Sequence, residues 1–121
     1  MRGIRGAITV ENNSREEIFA AVQRMVKEMC SLNELCPEDI GAAIFSATDD
    51  LTAAFPAAGA RAVSGFEFVP LFDARQMDVD HSLSKCIRVL FLVNTDKKQS
   101  DIQHVYLEGA AVLRPDLTHK C

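Results

Sequence analysis

The sequence predicts an α/β domain, a mixed β-sheet with helices packed on it, and three stretches carry that prediction. Residues 1–10 alternate, with Ile4, Ile8 and Val10 on one face and Gly3, Arg5, Ala7 and Thr9 on the other, the period of a strand with a single core face. Ile18, Val22, Met25, Val26 and Met29 recur at helical spacing behind a Ser14–Glu17 capping pattern, which predicts an amphipathic helix over residues 15–32. Lys85 to Val93 is the most apolar run, rich in β-branched residues and short enough to be a buried strand.

The remaining elements follow in order. Gly3 and Gly6 in the first strand suggest close approach by another group. After the helix, residues 33–39 form a connection, with Pro37 ahead of a short helical turn. Residues 41–47 read as a small-residue strand covered on both faces, and Thr48 to Leu51 as a capped turn. Residues 57–63 form a short helix stopped by Gly65. Residues 66–72 read as a third strand, in which Pro70 marks an edge, an end or a bulge. Residues 73–81 form a polar loop, residues 94–101 a polar turn, and residues 102–107 a last strand carrying Tyr106. The order is β-α-β-α-β-β and a final strand, in one domain over residues 1–121 with a flexible tail at 118–121.

Composition excludes several functions. A chain of 121 residues with net charge −4 has no basic stripe for nucleic acid. No apolar run approaches the roughly 20 residues that span a bilayer. Cys30, Cys36, Cys86 and Cys121 are irregularly spaced, which reads as reduced thiols in a cytoplasmic protein. Neither they nor His81, His104 and His119 show metal-ligand spacing, so no metal is expected. No nucleophile elbow, Walker loop or dinucleotide fingerprint is present.

What chemistry remains is a set of arginines, Arg5, Arg61, Arg88 and Arg114, with one tyrosine. Arg88 lies inside the most apolar strand, where an unpaired guanidinium costs several kcal/mol. It needs a buried carboxylate or the anion of a ligand. Arginine suits bidentate carboxylate recognition, and such a site fits a dianionic organic acid turned over by positioning and charge stabilisation alone.

Blocks along nearly the whole chain carry a resemblance. They are Arg2-Gly3-Ile4-Arg5-Gly6-Ala7, Ser46-Ala47-Thr48, Ala54-Phe55-Pro56-Ala57, Met77-Asp78-Val79, Lys85-Cys86-Ile87-Arg88-Val89, His104-Val105-Tyr106-Leu107-Glu108 and Val112-Leu113-Arg114-Pro115-Asp116-Leu117. Together they resemble the AroH-class chorismate mutases. The resemblance implies a pseudo-barrel homotrimer with active sites at subunit interfaces. It also implies conversion of chorismate to prephenate, in aromatic amino acid biosynthesis, with no cofactor. Arg88 would donate to the ether oxygen of the breaking bond, and Arg5 and Tyr106 would hold the side-chain carboxylate. Phe55, Ala57 and Arg61 would come from the neighbouring subunit. Leu71, Phe72, Leu113 and Arg114 would complete the substrate-binding set.

The chain departs from the family at one position that matters. Gln76 stands where the family has a glutamate that accepts a hydrogen bond from the substrate hydroxyl and faces positive charge developing on the ring. Asp73, three residues earlier, stands where the family usually has an uncharged residue. The expectation is that Asp73 supplies the displaced carboxylate to the same pocket, although strand parity opposes this unless the chain bends. The family's pocket-rim lysine is replaced by Ala58. Two alternatives stand beside the enzyme: a non-catalytic trimeric chorismate- or dicarboxylate-binding module, and a relative of the similarly folded enamine/imine deaminases. The Lys85 and Leu113 blocks argue against the second.

Overall fold

Hydrophobic period and capping place seven regular elements along the chain. The computed structural model describes residues 1–113. They form β1 (Arg2–Thr9), α1 (Arg15–Leu32), β2 (Ile40–Ala47), α2 (Pro56–Arg61), β3 (Leu71–Arg75), β4 (Cys86–Val93) and β5 (Val105–Leu107), linked partly by short 3-10 turns. Arg114 and the expected tail at 118–121 lie outside the described residues.

α1 begins where the capping pattern predicts. Ser14 Oγ accepts the Glu17 N–H at 3.2 Å, while the Glu17 carboxylate takes the Asn12 N–H instead of reaching back to the cap residue itself. Hydrogen bonding from the Asn12 side chain is the largest cause holding the Glu17 carboxyl below its ordinary range, and the backbone N–H groups of Asn12 and Glu11 add to it. The apolar stripe of Ile18, Val22, Met25, Val26 and Met29 is fully buried against the sheet. Each such side chain contributes about 1.5–3 kcal/mol of transfer free energy. Gly6 allows the close approach: a Cβ there would lie 2.5 Å from Met29 Sδ and 3.2 Å from Met25 Cγ.

The sheet runs β3-β2-β4-β1-β5. β4 lies at its centre, antiparallel to β1 and β2, while β3 and β5 add in parallel at the two edges. One face, with Ile4, Ile8, Ala43, Phe45, Ile87, Val89 and Phe91, is the buried core under the helices. The other carries Arg5, Ala7, Ser46, Arg88 and Leu90. Among the described residues one end of that second face is roofed, where Ala110 of the closing turn packs with Ala7 and Cys86 beside Tyr106 and Leu113. β2 is therefore buried on its helix side and half-buried on the other, not covered on both faces by the described residues.

Three boundaries differ from expectation. Phe66–Phe68 is a 3-10 turn, and the third strand is Leu71–Arg75, so the polar stretch that begins at Asp73 is strand at first. The turn is forced by Gly65 at φ +93°, where a Cβ would also lie 2.7 Å from Pro37 Cγ. Pairing starts only at Pro70, whose carbonyl accepts the Ala43 N–H at 2.9 Å. As an edge strand, β3 has no need of an apolar run. β5 is three residues long where six were expected, because side chains hold the backbone ahead of it. Asn33 donates to Gln103 O and accepts from Gln103 N, both at 2.8 Å.

Candidate active site

Strand register converts the sequence positions into a site. Arg5 pairs with Leu90 and Ala7 with Arg88 across β1 and β4, and Ser46 pairs with Arg88 across β2 and β4. On the other side of β1, Ala7 pairs with Tyr106 of β5. Paired residues share a face, so Arg5, Arg88, Ser46 and Tyr106 converge. They line a cavity of about 330 Å³, with Ile44 and Leu90 on its floor and Leu113 among its lining residues. That size suits a small organic ligand.

Arg88 is half-buried, and its Nε is buried with no hydrogen-bond partner among the described residues. No ion pair among the described residues includes Arg88 or Arg5. Of the two partners the sequence allows, a buried carboxylate and a ligand anion, the first is not supplied by the described residues. The Cys86 thiol lies two residues back on the same strand, and being neutral it does not balance the guanidinium charge. Burial pushes that thiol up, and the hydrogen bond and charge of Arg88 pull partly against it. Cys30, packed against the core, is pushed up to about 11, chiefly by burial and then by Cys36. Neither thiol is poised as a nucleophile at neutral pH.

The network at the start of β4 fixes where Arg88 begins. Thr48 Oγ1 hydrogen-bonds the Asp50 carboxylate and accepts the Cys86 N–H at 3.1 Å. Both Asp50 oxygens accept the Lys85 N–H, at 3.1 and 3.0 Å, where Lys85 adopts φ +48°. A left-handed residue held by a carboxylate is a defined entry to the strand, three residues before the guanidinium.

Other expected residues lie elsewhere in the same chain. Gln76 follows β3 by one residue, on the parity of Phe72 and Ala74, which is the Arg88 side of the sheet. It lines a neighbouring cavity with Thr48, Asp50 and the 77–84 loop, and its Oε1 is buried without a hydrogen-bond partner among the described residues. Asp73 is not turned into the Arg88 pocket of its own chain. Residues 71–75 are a regular strand, so parity holds and Asp73 lies on the helix side. There Oδ1 accepts the Ala57 N–H at 3.0 Å, serving the first turn of α2. Leu71 shares the Asp73 face and Phe72 faces the other way, 65% exposed. Phe55 is 72% exposed at the N-cap of α2, Ala57 is buried, and Arg61 is exposed at the end of that helix. Phe55, Pro56 and Asp73 border a separate groove at the β3 edge.

The site also holds Ser46, Ile44, Ala7 and Leu90, none of them selected as a site residue from the sequence, and behind it His104 Nδ1 accepts the Arg5 N–H at 2.9 Å. Their selection needs the register, which no local pattern states. Ala7, Ser46 and His104 fall within blocks that carry the resemblance, whereas Ile44 and Leu90 do not.

The profile of the family described as chorismate mutase type I matches residues 1–117. Chorismate mutase AroH from Bacillus subtilis is 47% identical over 118 residues, covering 98% of this chain and 93% of the relative. Chorismate mutase AroH from Thermus thermophilus is 48% identical over 118 residues, covering 97% and 96%. Among solved structures, a chorismate mutase from Clostridium thermocellum superposes with TM-score 0.89 at 48% identity, covering 93% of this chain and 99% of that one.

Proposed function

This chain belongs to the chorismate mutase type I family, and we propose that it carries out its isomerisation, chorismate to prephenate, in a pocket shared between two copies of itself. Chorismate mutase activity follows from the family at this identity and coverage, and the non-catalytic alternative finds no support in the comparisons. The observation that carries the assignment of the site is the buried, unpartnered Arg88 Nε in a cavity that also receives Arg5 and Tyr106.

In the rearrangement the C–O bond of the enolpyruvyl ether breaks ahead of C–C bond formation, and negative charge grows on the ether oxygen. A guanidinium already aimed there binds the transition state better than the substrate, which is the condition for raising the rate. Arg5 and Tyr106 hold the side-chain carboxylate and press the enolpyruvyl group over the ring. Leu113 lines the pocket beside them. Gln76 accepts the hydrogen bond of the ring hydroxyl through Oε1, without the charge a glutamate would bring.

The second half of the site comes from a neighbouring copy, as Phe55, Ala57, Arg61, Leu71 and Phe72. Two features support this. The Arg88 face is only partly roofed in one chain, and Phe55, Phe72, Met77 and Val79 are exposed. A homotrimer satisfies both by placing the α2–β3 edge of each copy on the Arg88 face of the next. Asp73 then acts at a distance, fixing the Ala57 backbone. No helix among the described residues is long and apolar enough to cross a membrane. Free Cys30, Cys36 and Cys86 support a cytoplasmic enzyme of aromatic amino acid biosynthesis.

The direct test is loss of chorismate absorbance with purified protein and no added metal or cofactor. Saturable loss with prephenate as product is expected; chorismate that persists beside folded protein rejects the assignment.

A further inference from the structure

β5 is too short to hold Tyr106 by pairing alone. Its ladder to β1 joins Gly6 with Val105, Ala7 with Tyr106 and Ile8 with Leu107, and so starts one residue after Arg5. At the rung before it, a side chain replaces the strand. His104 Nδ1 accepts the Arg5 backbone N–H at 2.9 Å. One residue further back, the buried Asn33 amide at the end of α1 clasps Gln103 on both its N–H and its carbonyl. The approach to β5 is thus anchored to α1 at one residue and to β1 at the next.

We propose that His104 is a positioning residue for the reaction. By accepting the Arg5 N–H it fixes the Arg5 backbone against β5, and so sets the spacing between the Arg5 guanidinium and the Tyr106 hydroxyl. This inference rests on the reading that those two groups hold the substrate carboxylate. Its chemistry is specific: Nδ1 must be unprotonated to accept, and the acceptor must sit three bonds from Cα. Asparagine places Oδ1 at the same number of bonds. Glutamine places its oxygen one bond further out, and leucine offers none.

The experiment is steady-state kinetics on chorismate with His104→Asn, His104→Gln and His104→Leu, beside Arg5→Ala. His104→Asn is expected to keep KM within about threefold of the parent, while Gln and Leu raise it about tenfold with a smaller change in kcat. Should His104→Leu fail to fold, the Asn and Gln pair carries the same comparison. KM values that do not separate Asn from Gln overturn the proposal, as does a loss confined to kcat. If Arg5→Ala raises KM while the His104 series is flat, the positioning role alone fails. If Arg5→Ala is flat as well, the reading of the pocket fails with it.

Discussion

At Arg88 a positive charge occupies the central strand, with a buried nitrogen that no group among the described residues satisfies. Such a group is tolerated when it has work to do, because a buried unmet donor costs about 1–3 kcal/mol. Arg88→Ala is therefore expected to lower kcat by at least ~10²-fold, the scale for one oxyanion-type donor. A loss of only a few-fold would remove it from the ether oxygen. Gln76 is the opposite case, an acceptor whose oxygen is buried and unmet. If it faces positive charge developing on the ring, Gln76→Glu should raise kcat by about tenfold, since the hydrogen bond is kept and a charge is added. An unchanged or lower kcat at neutral pH would show that the site does not use charge there. Both residues were legible in the sequence, Arg88 from its burial in an apolar run and Gln76 from the resemblance. That their unmet atoms line adjacent cavities was not legible, because it depends on register between β2, β3 and β4.

Elements were legible where a long period or a cap recorded them. α1 runs over the predicted residues because eighteen positions repeat one stripe and Ser14 closes its start. β3 was misplaced because the alternation of Phe66, Glu67 and Phe68 imitates a strand, while Gly65 and Pro70 impose a turn and a late start. That boundary also changes the surroundings of Asp73 within one chain. Read as loop, it was free to reach the Arg88 pocket; in a strand it points to the helix side and caps α2. Asp73→Ala should lower stability by about 1 kcal/mol, the usual effect of losing a helix cap, with a matching shift in denaturant midpoint. Turnover should fall less than about tenfold, since the carboxylate only positions the 55–57 backbone. A drop of ~10²-fold in kcat at unchanged stability would return Asp73 to the chemistry.

The scale of the whole molecule is where a single chain stops explaining itself. Its core lies on one face of the sheet, and its chemistry lies on the other. The sequence forecast the first through periodicity, whereas the assembly entered only through the resemblance, since no period encodes which exposed edge meets which face. If the Arg88 face of one copy receives the Phe55–Arg61 edge of the next, the contact is heterologous and closes a ring. Complementation tests this directly. Arg88→Ala disables one half of every site, and a Phe55→Ala, Arg61→Ala double variant weakens the other half. Co-expressed in equal amounts and assembled at random, the two chains would give about a quarter of sites with both halves intact, because each half is unmutated in half of the subunits. Activity of the mixed trimers should then recover to about that fraction of the parent, well above either variant alone. A site contained within one chain predicts no recovery, since every chain in the mixture carries one damaged half. Separately purified homotrimers, mixed without exchange of subunits, give the baseline against which the recovery is read.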